Sequence, residues 1–405
     1  MKILFVCQYF YPEVFRGNDI AFHWAEQGHE VHVVSGIPNY PDGKFHEGYG
    51  LFKKRHETVN GVKVTRLPIF PRGNNKIMLM LNYFSYLIVA WVYMLFHALF
   101  HRYDRVFVQQ LSPVMMSAPG VLYKRLQKVP LYTWVLDLWP ESLAAAGGIN
   151  NRHILGFFRH FVKQEYRYSD KILISSRNFE KSILEYGDYA SKIVYYPQWA
   201  DGNDSSELSV ESLKSVESVK IPEGFKLMFA GAVGEAHGFE CTMQAALKTK
   251  GYKDIKWIIV GDGRRLDWVK GFVKEHGLED TVYMLGRYPA ETMPWFFRQA
   301  DVMLVTLSDD PLFRLYAPAK ISSYMAAAKP IVAVLNGAGA EVIREADCGW
   351  PVPAGDVEGF AKLAIELSQT DKGVLAEKGA NALKYYDAHL VKEKCLRKLD
   401  ELMGL

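Results

Sequence analysis

Four glycine-bearing turns and one lysine are the residues of this chain best suited to hold an anionic ligand. The turns are Arg16-Gly17-Asn18, Gly231-Ala232-Val233-Gly234-Glu235-Ala236-His237-Gly238, Val260-Gly261-Asp262-Gly263 and Leu285-Gly286-Arg287-Tyr288, each following an apolar run that reads as a strand. Glycine lets backbone amides approach a diphosphate closely, and the start of a helix adds favourable partial charge. Lys320 lies in Pro318-Ala319-Lys320-Ile321-Ser322-Ser323-Tyr324-Met325, a polar loop and short helix between the strand-like runs Asp301–Thr306 and Pro330–Val334. That βαβ arrangement puts N–H groups and a cation at the carboxyl end of a parallel sheet. Any single turn of this kind is equally well a plain tight turn. Their order and spacing together carry more weight.

The elements that must position these residues repeat as strand, loop and helix. Lys2–Cys7, Glu30–Ser35, Arg105–Val108, Leu131–Leu136, Lys171–Ile174 and Lys192–Tyr196 read as strands separated by helical stretches. The alternation then restarts at Lys226–Ala230 and runs through Lys256–Val260, Thr281–Met284, Asp301–Thr306 and Pro330–Val334. Alternation of this kind predicts an α/β fold with two Rossmann-like, doubly wound domains facing a central cleft. The expected boundaries are 1–198, a polar linker over 199–224, 225–385, and a closing helix over 386–405 that crosses back to the first domain. At 405 residues two cores are expected.

Composition is that of an ordinary globular protein, with 49% hydrophobic and 23% charged residues. Cys7, Cys241, Cys348 and Cys395 are scattered without metal-ligand spacing, as a reducing compartment permits. The apolar run Ile3–Cys7 is too short for a signal peptide. Charge is uneven. Residues 1–200 hold 23 Lys+Arg against 15 Asp+Glu, and the remainder hold 25 against 30. Either the surface charge is simply uneven, or the first half alone meets an anionic surface.

Ile77–Phe100 contains no Asp, Glu, Lys or Arg and is long enough to span a bilayer. Strands before and after it argue against a span if they share one sheet. A buried helix and an interfacial helix are both open. Lys53, Lys54, Arg55, Arg72, Lys76, Arg102 and Arg105 favour the interface, as does the stretch where Arg159, His160, Lys163 and Arg167 alternate with Phe157, Phe158, Phe161 and Tyr166. No nucleic-acid motif accompanies these cations, so nucleic acid is not an expected partner.

The chain resembles the family-four retaining glycosyltransferases of GT-B fold over nearly its whole length. It is most similar to the bacterial subgroup containing N-acetyl-L-fucosamine transferases of O-antigen and capsule assembly. Tyr9-Phe10-Tyr11-Pro12-Glu13, Gly36-Ile37-Pro38-Asn39-Tyr40-Pro41, Asp137-Leu138-Trp139-Pro140-Glu141-Ser142 and Pro318-Ala319-Lys320 carry the likeness. The resemblance implies a UDP-sugar donor in the C-terminal domain and a polyprenyl-diphosphate-linked saccharide in the N-terminal one. It implies that Gly286, Arg287 and Tyr288 lie near the base, and Gly231, Gly234, His237 and Gly261 near the diphosphate. Lys320 is the expected cation at the leaving diphosphate, with Arg314, Arg16 and Gly17 as further candidates. Asp137 is a candidate to orient or deprotonate the acceptor, or else a cap of the following turn.

One departure stands out. Where many relatives carry two glutamates eight residues apart, this chain has Leu315 and Ser323. Contacts to donor hydroxyls and ribose must therefore differ, and an apolar Leu315 suits a deoxy sugar such as L-FucNAc. No Asp-x-Asp triplet occurs, so neither a metal nor any other cofactor is expected. The expected setting is cytoplasmic, at the inner face of the cell membrane. A sugar-nucleotide epimerase or a non-catalytic scaffold on the same fold are the alternatives.

Overall fold

A computed structural model describes residues 1–143, 151–200, 214 and 216–405. Most of the linker expected over 199–224 lies outside the described residues, at 201–213 and 215. The chain forms two compact units, Met1–Tyr196 with Leu396–Leu405, and Pro197–Cys395. Position 385 lies inside the continuous helix Lys372–His389, so the second unit runs on to Cys395.

The first unit holds an eight-stranded sheet in the order β3-β4-β2-β1-β5-β6-β7-β8. Its strands are β1 (Lys2–Val6), β2 (Glu30–Gly36), β3 (His56–Val59), β4 (Val62–Leu67), β5 (Arg105–Gln110), β6 (Leu131–Val135), β7 (Lys171–Ile174) and β8 (Ile193–Tyr195). All pairings are parallel except β3 with β4. The central strands are buried on both faces, as their largely apolar runs require. The β3–β4 hairpin escapes the sequence reading because His56, Glu57, Lys63 and Arg66 dilute its apolar pattern.

The second unit holds β9 (Phe225–Ala230), β10 (Ile255–Val260), β11 (Val282–Gly286), β12 (Val302–Thr306), β13 (Ile331–Val334) and β14 (Gly349–Val352). Their order is β11-β10-β9-β12-β13-β14, and every pairing is parallel. Succession reverses beside β9, which makes the carboxyl end of β9 the topological switch point where ligands of such sheets bind. Strand β14 was not foreseen. It carries Pro351, which only an edge position tolerates.

Helix Lys76–Phe100 connects β4 to β5, two strands of the same sheet, so it cannot cross a bilayer between them. Its buried stripe, Asn82, Tyr86, Ala90, Met94 and Ala98, packs on the sheet. The opposite side leaves Ile77, Ile88, Phe96, Leu99 and Phe100 exposed.

Candidate active site

In the second unit, the turns after β9, β10 and β11 are laced together by backbone hydrogen bonds. Gly231 N–H donates to Val260 O (2.9 Å), Val233 N–H to Asp262 O (2.9 Å) and Gly261 N–H to Gly286 O (2.7 Å). Gly261 has φ +146°, and a Cβ there would lie 1.8 Å from Gly231 O. The packing of one turn on the next therefore demands glycine. Gly234 and Gly286, by contrast, have open space where a side chain would project. Tyr324, from the helix Lys320–Ala326, fixes the end of β9. Its hydroxyl accepts from Ala230 N–H (3.1 Å) and donates to Ala230 O (3.0 Å).

Lys320 begins that helix and carries its ammonium into the ring of turns. Nζ is 3.8 Å from the centroid of Phe229 and 3.1 Å from where a Gly231 Cβ would stand. The ammonium is buried and, among the described residues, has no hydrogen-bond partner, and burial lowers its pKa to about 7. His237 packs edge-on against the same Phe229 ring at 5.4 Å. Burial, reinforced by the Lys320 charge, lowers the imidazole to about 3, and its Nδ1 is likewise buried without a partner. Among the described residues, these are two buried polar groups without partners on one aromatic ring beside a glycine turn, where a ligand offering acceptors would satisfy them.

The other expected residues are placed more loosely. Arg314 is exposed and ion-paired with Asp309 (2.8 Å), which also accepts from Asn336 (2.9 Å). Arg287 is exposed, and Tyr288 packs on Phe296 at 4.7 Å. Ser323 and Leu315 are half-buried.

In the first unit, the carboxyl ends of the strands gather a second polar cluster. Asp137, after β6, accepts from Ser112 Oγ–H (2.8 Å), and Ser112 accepts in turn from Trp139 Nε1–H (3.0 Å). Burial raises the Asp137 carboxyl above its ordinary value. Asp137 is thus more than a local turn cap, since its partner comes from the loop after β5.

Burial raises the Tyr83 hydroxyl above its ordinary value, and the Arg72 guanidinium lies 5.9 Å from the centre of its ring. Arg72 donates to Tyr9 Oη (3.1 Å) and lies 5.5 Å from the centre of the Tyr40 ring. Glu13 secures the loop beneath, accepting from Asn39 N–H (2.8 Å), Tyr40 N–H (2.7 Å) and Phe10 N–H (3.2 Å). Its carboxyl is raised to about 7 because burial outweighs those bonds. Arg16 opens the helix Arg16–Glu26 beside Asp19 (3.5 Å). Gly17 is buried, and a Cβ there would lie 2.1 Å from Gln109 Oε1, so packing against β5 accounts for it.

Sequence reasoning missed Arg72, Tyr9 and Tyr83 as members of one cluster. Tyr9 belongs to a quoted motif, but Arg72 reads in sequence as one basic residue among several.

Comparison with known proteins fixes the family. Residues 17–199 match a glycosyl transferase 4-like domain and residues 224–370 match glycosyl transferases group 1. A probable glycosyltransferase of Pseudomonas aeruginosa, WbjE, is 30% identical over 66% of this chain and 69% of its own length. This chain is a group 1 glycosyltransferase. The glycosyltransferase shares its fold with HepE of Anabaena, solved in complex with UDP, at TM-score 0.71, 15% identity and full coverage of both chains. Sucrose-phosphate synthase of Thermosynechococcus elongatus superposes at TM-score 0.74 with 14% identity, covering 99% of this chain and 98% of that one. These neighbours give it the GT-B fold. WcaI of Escherichia coli, a putative colanic acid biosynthesis glycosyl transferase, is 22% identical over 69% of each chain.

Proposed function

We propose that this glycosyltransferase moves a sugar from a UDP donor to a lipid-linked saccharide in surface-polysaccharide synthesis, with retention of configuration and without a metal. The observation that carries the reading is the buried, partnerless ammonium of Lys320 beside the Gly231 turn. Burying a charge without a counter-ion costs several kcal/mol, a cost that an arriving diphosphate removes. As the glycosidic bond to the diphosphate breaks, negative charge grows on the leaving oxygen, and a preorganised cation stabilises it. Gly231, Gly234, Gly261 and His237 line the diphosphate in this reading. Gly286, Arg287 and Tyr288 receive the base, Ser323 the ribose side, and Arg314 adds positive potential.

Leu315, in place of a carboxylate, favours a 6-deoxy N-acetyl amino sugar such as L-FucNAc. Asp137, held by Ser112, orients the acceptor hydroxyl. Relatives named for amylovoran and colanic acid biosynthesis support the polysaccharide setting. The apolar outer side of helix Lys76–Phe100 supports a cytoplasmic enzyme resting on the inner membrane face with a polyprenyl-diphosphate carrier as substrate.

The test is the melting temperature with UDP, GDP or ADP, each with and without EDTA. A UDP-selective rise that survives EDTA is expected, worth about 2.7 kcal/mol at 100-fold excess over Kd. A rise abolished by EDTA would remove the metal-free reading, and no rise with UDP would remove the donor assignment.

A further inference from the structure

Away from the carboxyl edge of the first sheet, a cavity of about 400 Å³ opens at the amino ends of β1 and β2, beside the last turn of helix Lys76–Phe100. That volume lies in the range of small-molecule sites, roughly 300–1,000 Å³. Its floor is a connected ring of side chains. His32 bonds Tyr103 Oη through Nδ1 (2.5 Å) and Thr65 Oγ1 through Nε2 (2.9 Å), and His97 Nε2 reaches the same Tyr103 hydroxyl (3.0 Å). His101 stacks on His97 with ring centres 4.2 Å apart, and His56 Nδ1 approaches Thr65 Oγ1 (3.2 Å). Four histidines that sequence scatters over seventy positions therefore meet in one place.

The rim is cationic. Lys2, Lys63 and Arg102 line it against a single carboxylate, Glu30, which lies 3.9 Å from Lys2. Among the described residues, neither Lys63 nor Arg102 is held in an ion pair. Tyr93 and Tyr103 are the remaining titratable groups of the wall, and burial raises both above the ordinary tyrosine value. Burial, with neighbouring positive charge from His101, Lys63 and His56, lowers His32 to about 4. His97 falls to about 3 through burial and the facing His32 and His101. His32 and His97 thus stay neutral in the floor while Lys2, Lys63 and Arg102 give the rim positive potential, an arrangement that suits an anion. Phe100 lines the same cavity and is 81% exposed, so the apolar outer side of the helix runs directly to the rim.

We propose that this cavity is a second binding site, separate from the one containing Asp137, that takes a phosphate-bearing group. Where the helix lies in the membrane interface, the phosphate is that of an anionic lipid headgroup, gripped by Lys63 and Arg102 while His101 and His56 donate N–H. The anion site itself stands without the donor and acceptor assignments. Only the choice of a lipid over a soluble phosphate rests on the interfacial reading.

The test uses the full chain and the variant Lys63→Gln/Arg102→Gln, both exposed positions that leave the folded core untouched. Inorganic phosphate is titrated while histidine ring signals are followed by NMR. In parallel, cosedimentation is measured with phosphatidylcholine vesicles carrying or lacking a quarter phosphatidylglycerol. For a headgroup site, anionic vesicle binding falls about tenfold in the variant, and free phosphate competes with it in the wild type. Phosphate-induced shifts of the histidine signals, lost in the variant but with vesicle binding equal, support the site with a soluble phosphate as its ligand. No phosphate-dependent shift and no difference in vesicle binding between the two proteins overturns the proposal.

Discussion

Lys320 should set the pH behaviour of the proposed donor site. Its folded pKa of about 7 lies below the ordinary 10.5, so between those values the unfolded chain binds the extra proton. Stability therefore rises as pH climbs through that window, and the cost of the buried ammonium is fully present below about 7. A diphosphate would reverse the preference by favouring the charged form, so UDP binding should take up a proton above pH 7. Between pH 7 and 9, UDP affinity should fall by up to about tenfold per pH unit. Calorimetry in buffers of different ionisation enthalpy checks both the fall and the proton uptake. Lys320→Met should flatten the profile and weaken binding, and a profile that stays steep would assign the proton elsewhere. Little of this was legible in the sequence. The lysine was visible through its Pro-Ala-Lys setting, but its burial over Phe229 depends on a ring contributed by a strand some ninety residues away. Arg72 was hidden for a similar reason, since only the fold brings it to Tyr9 and Tyr83.

At the scale of elements, the glycine turns act as a stack. Gly261→Ala would place a Cβ against Gly231 O at a backbone conformation that L residues rarely adopt. It should cost at least about 3 kcal/mol of stability in the second unit, read by urea unfolding, together with a loss of UDP binding. A change within about 0.5 kcal/mol would mean that the turns can separate freely. The alternation of strands and helices was readable from the apolar runs because central parallel strands are buried on both faces. Edge elements were not readable. β3 reads His56-Glu57-Thr58-Val59 with one apolar residue, β4 is broken by Lys63, Thr65 and Arg66, and β14 contains a proline.

Helix Lys76–Phe100 was recognisable as apolar, but its two sides were not. The buried stripe recurs every four residues through Asn82, Tyr86, Ala90 and Met94, while residues between it are apolar as well, so periodicity is masked. Phe158 and Tyr166, expected among the interfacial aromatics, turn inward, leaving Ile154 and Phe157 outside with Arg159 and Lys163.

For the whole molecule, the uneven charge noted along the chain meets a structural counterpart in the first unit. Exposed Phe157 approaches Phe84 at 6.5 Å, joining the helix Arg152–Tyr168 to the first turns of Lys76–Phe100 as one apolar surface edged by cations. Arg159→Ala/Lys163→Ala should weaken binding to anionic liposomes by about 2 kcal/mol, or roughly 30-fold. Unchanged cosedimentation would remove that helix from the interface. The chain also returns to its first unit at the end. Asp400 accepts from Trp24 Nε1–H (2.9 Å) and pairs with His23 (2.7 Å), while Met403 O accepts from Arg105 (2.9 Å). During synthesis, residues 1–196 emerge first yet lack these partners until residues 396–405 follow. At about 5–20 residues per second, that interval is roughly 10–40 s. Through it the nascent unit presents the seat for Leu399 and Met403 uncovered, which makes the interval between the two units' translation the moment when a chaperone has most to hold.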